Sequence, residues 1–229
     1  MRINKYLSSF GVTSSRQADL LIKDGRVRIN GRVARVGDNV GDEDAVVVDK
    51  PPIAAEIQRV YIAYHKPVGV ETTTSQTVKH NLIDELGFDF HFFSIGRLDK
   101  DSSGLLLLTN DGDIVNQILR PEFHHEKEYL VHVDRAFDHA FIKHMRDGMM
   151  IQGKKTRDAY VERHNKRAFT VVLTEGRNRQ IRRMVEKLGY EVTSLKRVRV
   201  MNVRLGHLKL GAWRHLKPRE RKALLAACH

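Results

Sequence analysis

Two carboxylates in one short polar loop are the side chains of this sequence best placed to do chemistry. Asp99 and Asp101 lie between Gly96 and Gly104, directly before a run of four leucines. The leucine run predicts a strand that is buried on both faces. A carboxylate displayed on a loop against such a strand can act as a general acid or base, or as a nucleophile. The alternative is an ordinary surface loop with capping aspartates, and the composition of the loop alone favours this alternative.

A second stretch supplies arginines that such a carboxylate would need nearby. Ile181, Met184 and Val185 predict the apolar stripe of a helix. Arg182 borders this stripe, and a guanidinium partly withdrawn from water needs a carboxylate or another acceptor beside it. The alternative is a side chain whose stem packs while its charge reaches water. Another helix face carries cations expected to meet solvent or phosphate, namely Arg179, Arg183 and Lys187.

The sequence lacks the motifs of several common enzyme classes. Neither Gly-x-x-x-x-Gly-Lys-Ser/Thr nor Gly-x-Gly-x-x-Gly occurs, which argues against a nucleoside-triphosphate or dinucleotide enzyme. The 12 histidines include no His-Glu-x-x-His spacing, and Cys228 is the single cysteine. We therefore expect no metal site and no disulfide framework.

Hydropathy and charge indicate where the protein acts and on what. No apolar run approaches the roughly 20 residues that span a bilayer, and the N-terminus lacks an apolar signal segment, so a cytoplasmic protein is expected. Lys and Arg outnumber Asp and Glu by eight to two in residues 1–36 and by 21 to six in residues 154–222. The part between them is mildly acidic. This distribution favours a nucleic acid held at two places.

The first 50 residues predict a small unit of two short helices followed by a sheet. Ile3 and Leu7 share one helix face, and the Ser-x-x-Gln capping box at 14–17 begins the second helix. Asn30-Gly31 lies between alternating apolar residues and is a strong hairpin signal. Val46–Val48 is expected to add a third strand.

A linker at residues 51–59, with consecutive prolines, is expected to lead into a second domain at 60–229. The expected strands are Val60–Tyr64, Gly104–Thr109, Glu128–Val133, Ala159–Glu162 and Ala168–Thr174. The expected helices are Asp113–Leu119, Phe137–Met145, Arg179–Leu188 and Pro218–Ala227. Because strands and helices do not alternate strictly, we expect an α+β fold with a mixed, mostly antiparallel sheet.

Four motifs together resemble a known enzyme family. They are His65-Lys66-Pro67-x-Gly69, Gly96-Arg97-Leu98-Asp99-x-x-Ser102-x-Gly104-Leu105-Leu106, Lys127-x-Tyr129 and Asn178-Arg179-Gln180-Ile181-Arg182-Arg183-Met184. In this order they resemble the RsuA-like branch of RNA pseudouridine synthases, and the first 50 residues resemble the S4 RNA-binding domain of that branch. The resemblance covers essentially the whole chain. Three stretches look closest to a member that acts on large-subunit ribosomal RNA, namely Ile95–Asp101, His125–Val131 and Met201–Val203.

The resemblance implies a role for each residue of an active site. Asp99 would be the essential carboxylate at the ribose of the target uridine, attacking C1′ or abstracting the 2′ proton. Tyr129 would stack on the base and assist removal of the C5 proton. Arg182 would pair with Asp99, and Ile181 would form an apolar pocket wall. Arg97 would fill the gap left when the nucleotide is flipped out of its helix.

The same resemblance implies RNA as the partner, with no cofactor. A ribosomal RNA is the expected substrate, with a tRNA as a second candidate. No membrane and no obligate protein partner is implied, and a monomer is expected. The residues expected to bind RNA are Arg2, Lys5, Arg16, Arg26, Arg28, Lys66, Arg177, Asn178, Arg179 and Arg183.

Three other interpretations fit parts of the sequence. A non-catalytic S4-containing RNA-binding or ribosome-assembly factor would share the N-terminal unit, but the presence of Asp99 favours an enzyme. A glycosidase needs a carboxylate pair of fixed separation, which Asp99 and Asp101 on one loop do not define. A DNA-binding transcription factor needs a recognition helix with base-reading residues, and the N-terminal unit offers no convincing one.

Overall fold

The computed structural model describes residues 1–10, 15–48, 59–75 and 77–227. Three features expected from the sequence fall outside these residues in whole or in part: the start of the Ser14 capping box, most of the 51–59 linker, and Cys228. Within the described part of the chain, no helix is long and apolar enough to cross a membrane.

The N-terminal unit has the expected two helices and three strands. They are α1 (Ile3–Ser9), α2 (Ser15–Lys23), β1 (Val27–Ile29), β2 (Arg32–Val33) and β3 (Val46–Val48), with both outer strands antiparallel to β1. Asn30 and Gly31 have φ values of 50° and 83°, the left-handed pair that a two-residue hairpin turn requires. Ile3 and Leu7 are fully buried against α2 and the sheet, which confirms the helical spacing.

The second unit is built on one large mixed sheet. Its helices are α3 (Leu82–Leu86), α4 (Gly112–Leu119), α5 (His139–Asp147), α6 (Gln180–Lys187) and α7 (Pro218–Ala226), with a 3₁₀ turn at Pro121–Phe123. Its strands are β4 (Tyr61–Lys66), β5 (Phe93–Ile95), β6 (Ser103–Thr109), β7 (Lys127–Val133), β8 (Met150–Ile151), β9 (Lys154–Lys155), β10 (Tyr160–Arg163), β11 (Ala168–Leu173), β12 (Val192–Val200), β13 (Val203–Arg204) and β14 (Trp213–His215).

The strand order of the sheet is β10-β11-β7-β12-β6-β4-β14, with β13 paired to β12 and β5 to β6. Among the described residues, β12 and β6 are the one parallel pair, and the other pairs are antiparallel. The expected mixed, mostly antiparallel sheet is therefore confirmed. The expected strands and helices of the second unit are all present within a few residues. The strands β5, β8, β9, β12, β13 and β14, the helix α3 and the 3₁₀ turn were not expected.

The leucine run forms β6 and is buried on both faces, as expected. Leu105 and Leu107 pack towards α4 and α7, while Leu106 and Leu108 pack against Tyr64 on the other face. Burying large apolar side chains on both sides of a strand makes the middle of the sheet its most stable part. The loop that carries Asp99 leads directly into this buried strand.

Gly104 allows β6 and β12 to approach each other closely. Its φ is 113°, and a Cβ at this position would lie 2.9 Å or less from three backbone atoms of Arg197. Atoms that are not bonded do not approach so closely, so only glycine fits. The parallel pairing of Gly104 with Arg197 brings the Asp99 loop next to β12.

Candidate active site

A cavity of about 750 Å³ opens beside the loop that precedes β6. Its walls come from that loop, from β7 and β12, and from the start of α6. The lining includes Arg97, Asp99, Tyr129, Ile181, Leu195 and Arg197. Four of the five residues expected to form the active site, Arg182 being the exception, thus line one cavity.

Strand register explains why these side chains share the cavity. Tyr129 on β7 lies directly opposite Arg197 on β12, and Arg197 lies opposite Gly104 on β6. Residues opposite one another in a sheet point to the same face. Ile181 approaches this face from α6, as part of the buried stripe that the sequence predicted.

The loop that carries Asp99 is held at every residue from 97 to 101. Each of these five carbonyl groups accepts a hydrogen bond. The donors, in order, are Arg197 Nη1 at 3.3 Å, Thr72 Oγ1 at 2.7 Å, the amide of Ser102 at 3.0 Å, the amide of Gly69 at 2.8 Å and Arg182 Nη2 at 2.8 Å. Because the backbone is held at consecutive residues, the position of the Asp99 Cα and the direction of its side chain are fixed, although the loop has no regular secondary structure.

Asp101 is the carboxylate that holds the two arginines of this site. Nη1 and Nη2 of Arg179 donate to its two oxygens at 3.1 and 2.9 Å, and Nε of Arg182 lies 3.3 Å from Oδ2. Burial alone would raise the pKa of Asp101. The hydrogen bonds from Arg179 and the charges of both arginines outweigh burial and hold the pKa below its ordinary value. Asp101 is therefore ionised at neutral pH.

The ion pair expected between Arg182 and Asp99 is replaced by the pair with Asp101. Arg182 also donates to Ser102 Oγ at 3.3 Å and to the carbonyl of Val192 at 3.2 Å. Its side chain is 15% exposed, which agrees with its expected place at the edge of the apolar stripe. Helical periodicity predicts such a place, but it cannot decide which of two carboxylates on a neighbouring loop meets the guanidinium.

Arg179 also differs from its expected position on a solvent-facing side of the helix. It precedes α6 as the N-cap residue with a left-handed φ of 52°, so helical spacing does not govern its direction. The side chain turns back to the loop, where Nη1 lies 3.8 Å from Oδ2 of Asp99.

Comparison with known proteins identifies the family. Residues 60–187 match the family model described as RNA pseudouridylate synthase, and residues 1–46 match the S4 domain. The chain belongs to the RNA pseudouridine synthases. The resemblance drawn from the four motifs is thereby confirmed.

Several relatives match this synthase over most of its length. The dual-specificity RNA pseudouridine synthase RluF of Salmonella typhi is 47% identical over 94% of this chain and 75% of its own length. The ribosomal large subunit pseudouridine synthase B of Bacillus subtilis is 34% identical over 98% of this chain and 96% of its own. A crystal structure of a pseudouridylate synthase superimposes with a TM-score of 0.68, at 27% identity, over 98% of this chain and 99% of that one.

Lys66 of the synthase does not lie where RNA could reach it. The side chain is fully buried, and Nζ donates to the carbonyls of Pro67 at 2.8 Å and Val70 at 2.6 Å. The RNA contact expected from the sequence is thus replaced by an internal role in the turn after β4. The His-Lys-Pro pattern predicts a strand end and a turn, but it does not show which side of the sheet the lysine faces. Burial lowers the pKa of Lys66 to about 8, against the opposing effect of Asp101 and Asp99.

The other cations expected to bind RNA fall into two groups. On the N-terminal unit, exposed side chains are Arg2, Lys5, Arg26 and Arg28, while the side chain of Arg16 lies outside the described residues. Near the cavity, Arg177 donates to the carbonyl of Lys154 at 2.9 Å and to Glu175, and Arg183 donates to the side chain of Asn178 at 2.9 Å. These contacts hold the rim of the cavity together.

Two residues of the site have no clear signal in the sequence. Arg197 is 2% exposed in the cavity wall, and its Nε donates to the carbonyl of Leu105 at 2.7 Å. Thr72 reaches the loop from the segment after β4. Arg197 lies in a stretch rich in cations that shows no clear apolar pattern, and a threonine in a threonine-rich segment is not distinctive.

Proposed function

We propose that this synthase converts a specific uridine of structured large-subunit ribosomal RNA to pseudouridine, in the cytoplasm and without a cofactor, and that Asp99 is its essential carboxylate. One observation carries the assignment. Asp99 projects from a loop fixed at five consecutive carbonyls into a cavity walled by an aromatic ring and an apolar side chain. A target base with an apolar face and a ribose with polar edges match these surroundings.

The reaction is an isomerisation in which the uridine keeps all its non-hydrogen atoms and its total number of protons. The bond between N1 and C1′ breaks, the uracil turns within the cavity, and C5 bonds to C1′. The C5 proton is lost and N1 gains one. Asp99 starts the reaction either by attack at C1′ or by removal of the 2′ proton, and Tyr129 stacks on the base and assists loss of the C5 proton. Ile181 limits the space in which the uracil turns.

Binding is divided between the two units in this proposal. The S4 domain at residues 1–50 holds RNA through its exposed cations, and the catalytic domain at 60–229 receives the target nucleotide. Arg97 is exposed at the cavity and would take the place of the flipped nucleotide. Flipping a base costs a few kcal/mol, which contacts of this kind offset.

The names of the relatives support the choice of substrate. One relative acts on the large ribosomal subunit by name, and another is named as a dual-specificity enzyme. We therefore propose ribosomal RNA as the main substrate, with a tRNA as the second RNA to be examined.

Mapping pseudouridines with and without the gene tests this function. Ribosomal RNA and tRNA from cells with and without the gene are treated with a carbodiimide that forms a stable adduct with pseudouridine. Primer extension then locates the positions at which reverse transcription stops at an adduct. We expect one or a few stops to disappear without the gene and to return with the wild-type protein, but not with Asp99→Asn. The exposed Asp89→Asn serves as the matched control and should restore them. Unchanged stops in both RNA fractions would contradict the function, and restoration by Asp99→Asn would contradict the role of Asp99.

A further inference from the structure

Thr72 makes two hydrogen bonds to the residue directly before Asp99. Its hydroxyl donates to the carbonyl of Leu98 at 2.7 Å and accepts from the amide of Leu98 at 3.2 Å. Thr72 and Leu98 are 5% and 6% exposed, so water does not compete for these groups. One hydroxyl thus satisfies both polar groups of a buried residue.

The segment that carries Thr72 is itself held on both sides. The amide of Glu71 donates to the carbonyl of His80 at 2.9 Å, and the amide of Leu82 donates to the carbonyl of Thr73 at 3.0 Å. Next to these contacts, α3 begins with a capping box in which Asn81 accepts from two amides of the first turn. The backbone around Thr72 is therefore anchored to the N-terminus of α3.

We propose that Thr72 is a positioning residue for the isomerisation: its hydroxyl fixes the Leu98 backbone and thereby the direction in which Asp99 enters the cavity. The inference rests on the proposed function, because it concerns the same carboxylate. The other four donors act on residues 97 and 99–101. At Leu98, Thr72 holds both the N–H and the C=O. Removing its hydroxyl would leave two buried polar groups unpaired and let the peptide before Asp99 shift.

A small shift at this position has a large effect on rate. Reacting groups must be held within a fraction of an ångström of their productive arrangement, and a misplacement of about 1 Å can cost about 100-fold in rate. RNA affinity depends on cations spread over both units, none of which Thr72 contacts. Removal of the hydroxyl should therefore lower the rate of the chemical step and leave RNA binding unchanged.

Three variants separate positioning from packing. Thr72→Val keeps the shape and removes both hydrogen bonds, whereas Thr72→Ser keeps the hydroxyl. Thr109→Val is the matched control, because Thr109 is equally buried at the opposite end of β6 and its hydroxyl accepts from the amide of Asp111 at 3.0 Å. If Thr72→Val does not fold, Thr72→Cys replaces it, since a thiol is only a weak hydrogen-bond donor and acceptor.

Single-turnover pseudouridine formation at saturating RNA is measured for each variant, together with RNA affinity and amide exchange at Leu98. We expect Thr72→Val to be about 10- to 100-fold slower with unchanged affinity, and its Leu98 amide to exchange faster. Thr72→Ser and Thr109→Val should turn over near the wild-type rate. The inference is overturned if Thr72→Val keeps the wild-type rate, if serine fails to rescue it, or if Thr109→Val is equally slow. Absence of turnover in the wild-type protein would instead refute the proposed function, while unchanged Leu98 exchange in Thr72→Val would refute the contact itself.

Discussion

The guanidinium of Arg179 lies between Asp99 and Asp101, 3.8 Å from a carboxylate oxygen of the first and 2.9 Å from one of the second. Only the shorter distance is that of a hydrogen bond. Asp101 thus forms the short ion pairs with Arg179 and Arg182. Asp99 lies near the positive charge of Arg179 but is not hydrogen-bonded to it. A ribose entering the cavity can meet Asp99 without first breaking a short ion pair.

Replacing Arg182 should damage the enzyme more than replacing Arg183. Arg182→Ala removes the ion pair with Asp101 and the donor to the carbonyl of Asp101, so we expect the free energy of unfolding to fall by about 2 to 3 kcal/mol and turnover to slow. Arg183→Ala removes one hydrogen bond to Asn178 and should cost about 0–1 kcal/mol. Its main effect should be weaker, salt-dependent RNA binding.

Urea unfolding and single-turnover rates at saturating RNA measure this difference. Arg182→Lys serves as a second variant and should also slow turnover, because an ammonium group cannot reproduce several fixed guanidinium contacts. Equal effects of Arg182→Ala and Arg183→Ala would show that the two arginines are not distinguished in this way.

The buried ammonium of Lys66 should make stability depend on alkaline pH. Its pKa is about 8 in the folded protein, lowered by burial from the ordinary value of 10.5. Below pH 8 the lysine is charged in both states, whereas between pH 8 and 10.5 only the unfolded chain holds the proton. The free energy of unfolding, measured relative to Lys66→Met, should therefore be flat below pH 8 and rise by about 3 kcal/mol towards pH 10.5.

Urea unfolding from pH 7 to 10.5 checks the dependence on Lys66. Lys79→Met removes an exposed lysine and should give a curve parallel to that of the wild-type protein. A Lys66→Met curve that also runs parallel to the wild type would mean that Lys66 releases its proton at the same pH in both states.

A methyl group at Gly104 should be far more costly than one at Gly153. Both glycines have positive φ, 113° and 75°, but a Cβ at Gly153 meets no atom within 4 Å, whereas one at Gly104 meets the backbone of Arg197. We expect Gly153→Ala to cost about 1–2 kcal/mol in the free energy of unfolding. Gly104→Ala should cost more than about 4 kcal/mol, because two strands must separate. Similar midpoints of urea unfolding for the two variants would argue against the close strand contact.

Removing the N-terminal unit should weaken RNA binding without abolishing the fold of the catalytic unit. Residues 1–36 carry eight Lys and Arg against two Asp. A truncated protein that begins near Ile53 should bind RNA more weakly and with a shallower salt dependence. The logarithmic slope should decrease by about 0.7–0.9 for each phosphate that the protein no longer neutralises. RNA affinity of the truncated and the full chain, measured over a range of salt concentrations, tests this prediction. An unchanged affinity and slope would assign RNA binding to the second unit alone.

Local signals account for most of what could be predicted from the sequence. Asn30-Gly31 and the leucine run before Thr109 specify their structures through nearby residues alone, and both are found as expected. The helical spacing of α6 likewise predicted that Ile181 belongs to a buried apolar stripe and that Arg182 borders it, whereas the place of Ile181 in the pocket wall followed from the family resemblance. Motif recognition added the family, which composition alone would not have given.

Long-range contacts account for what could not be predicted. The strand β12 was missed because its cations interrupt the apolar pattern, although Arg197 is buried through its contacts with Leu105 and Arg97. The partner of Arg182, the burial of Lys66 and the role of Thr72 all depend on segments distant in the chain. These contacts are determined by how distant segments pack together in the folded protein, and the spacing of residues along the chain does not give this information.

The pairing of β12 with β6 means that the active site can form only late in the synthesis of this part of the chain. Arg197 and Leu105, which are hydrogen-bonded, are 92 positions apart in the chain. A ribosome adds about 5–20 residues per second, so β6 waits several seconds for its partner. Until then the Asp99 loop lacks the donors from Arg182 and Arg197, and β6 has an open edge. The nascent enzyme thus acquires its catalytic geometry only once β12 has been made, long after its N-terminal unit has emerged.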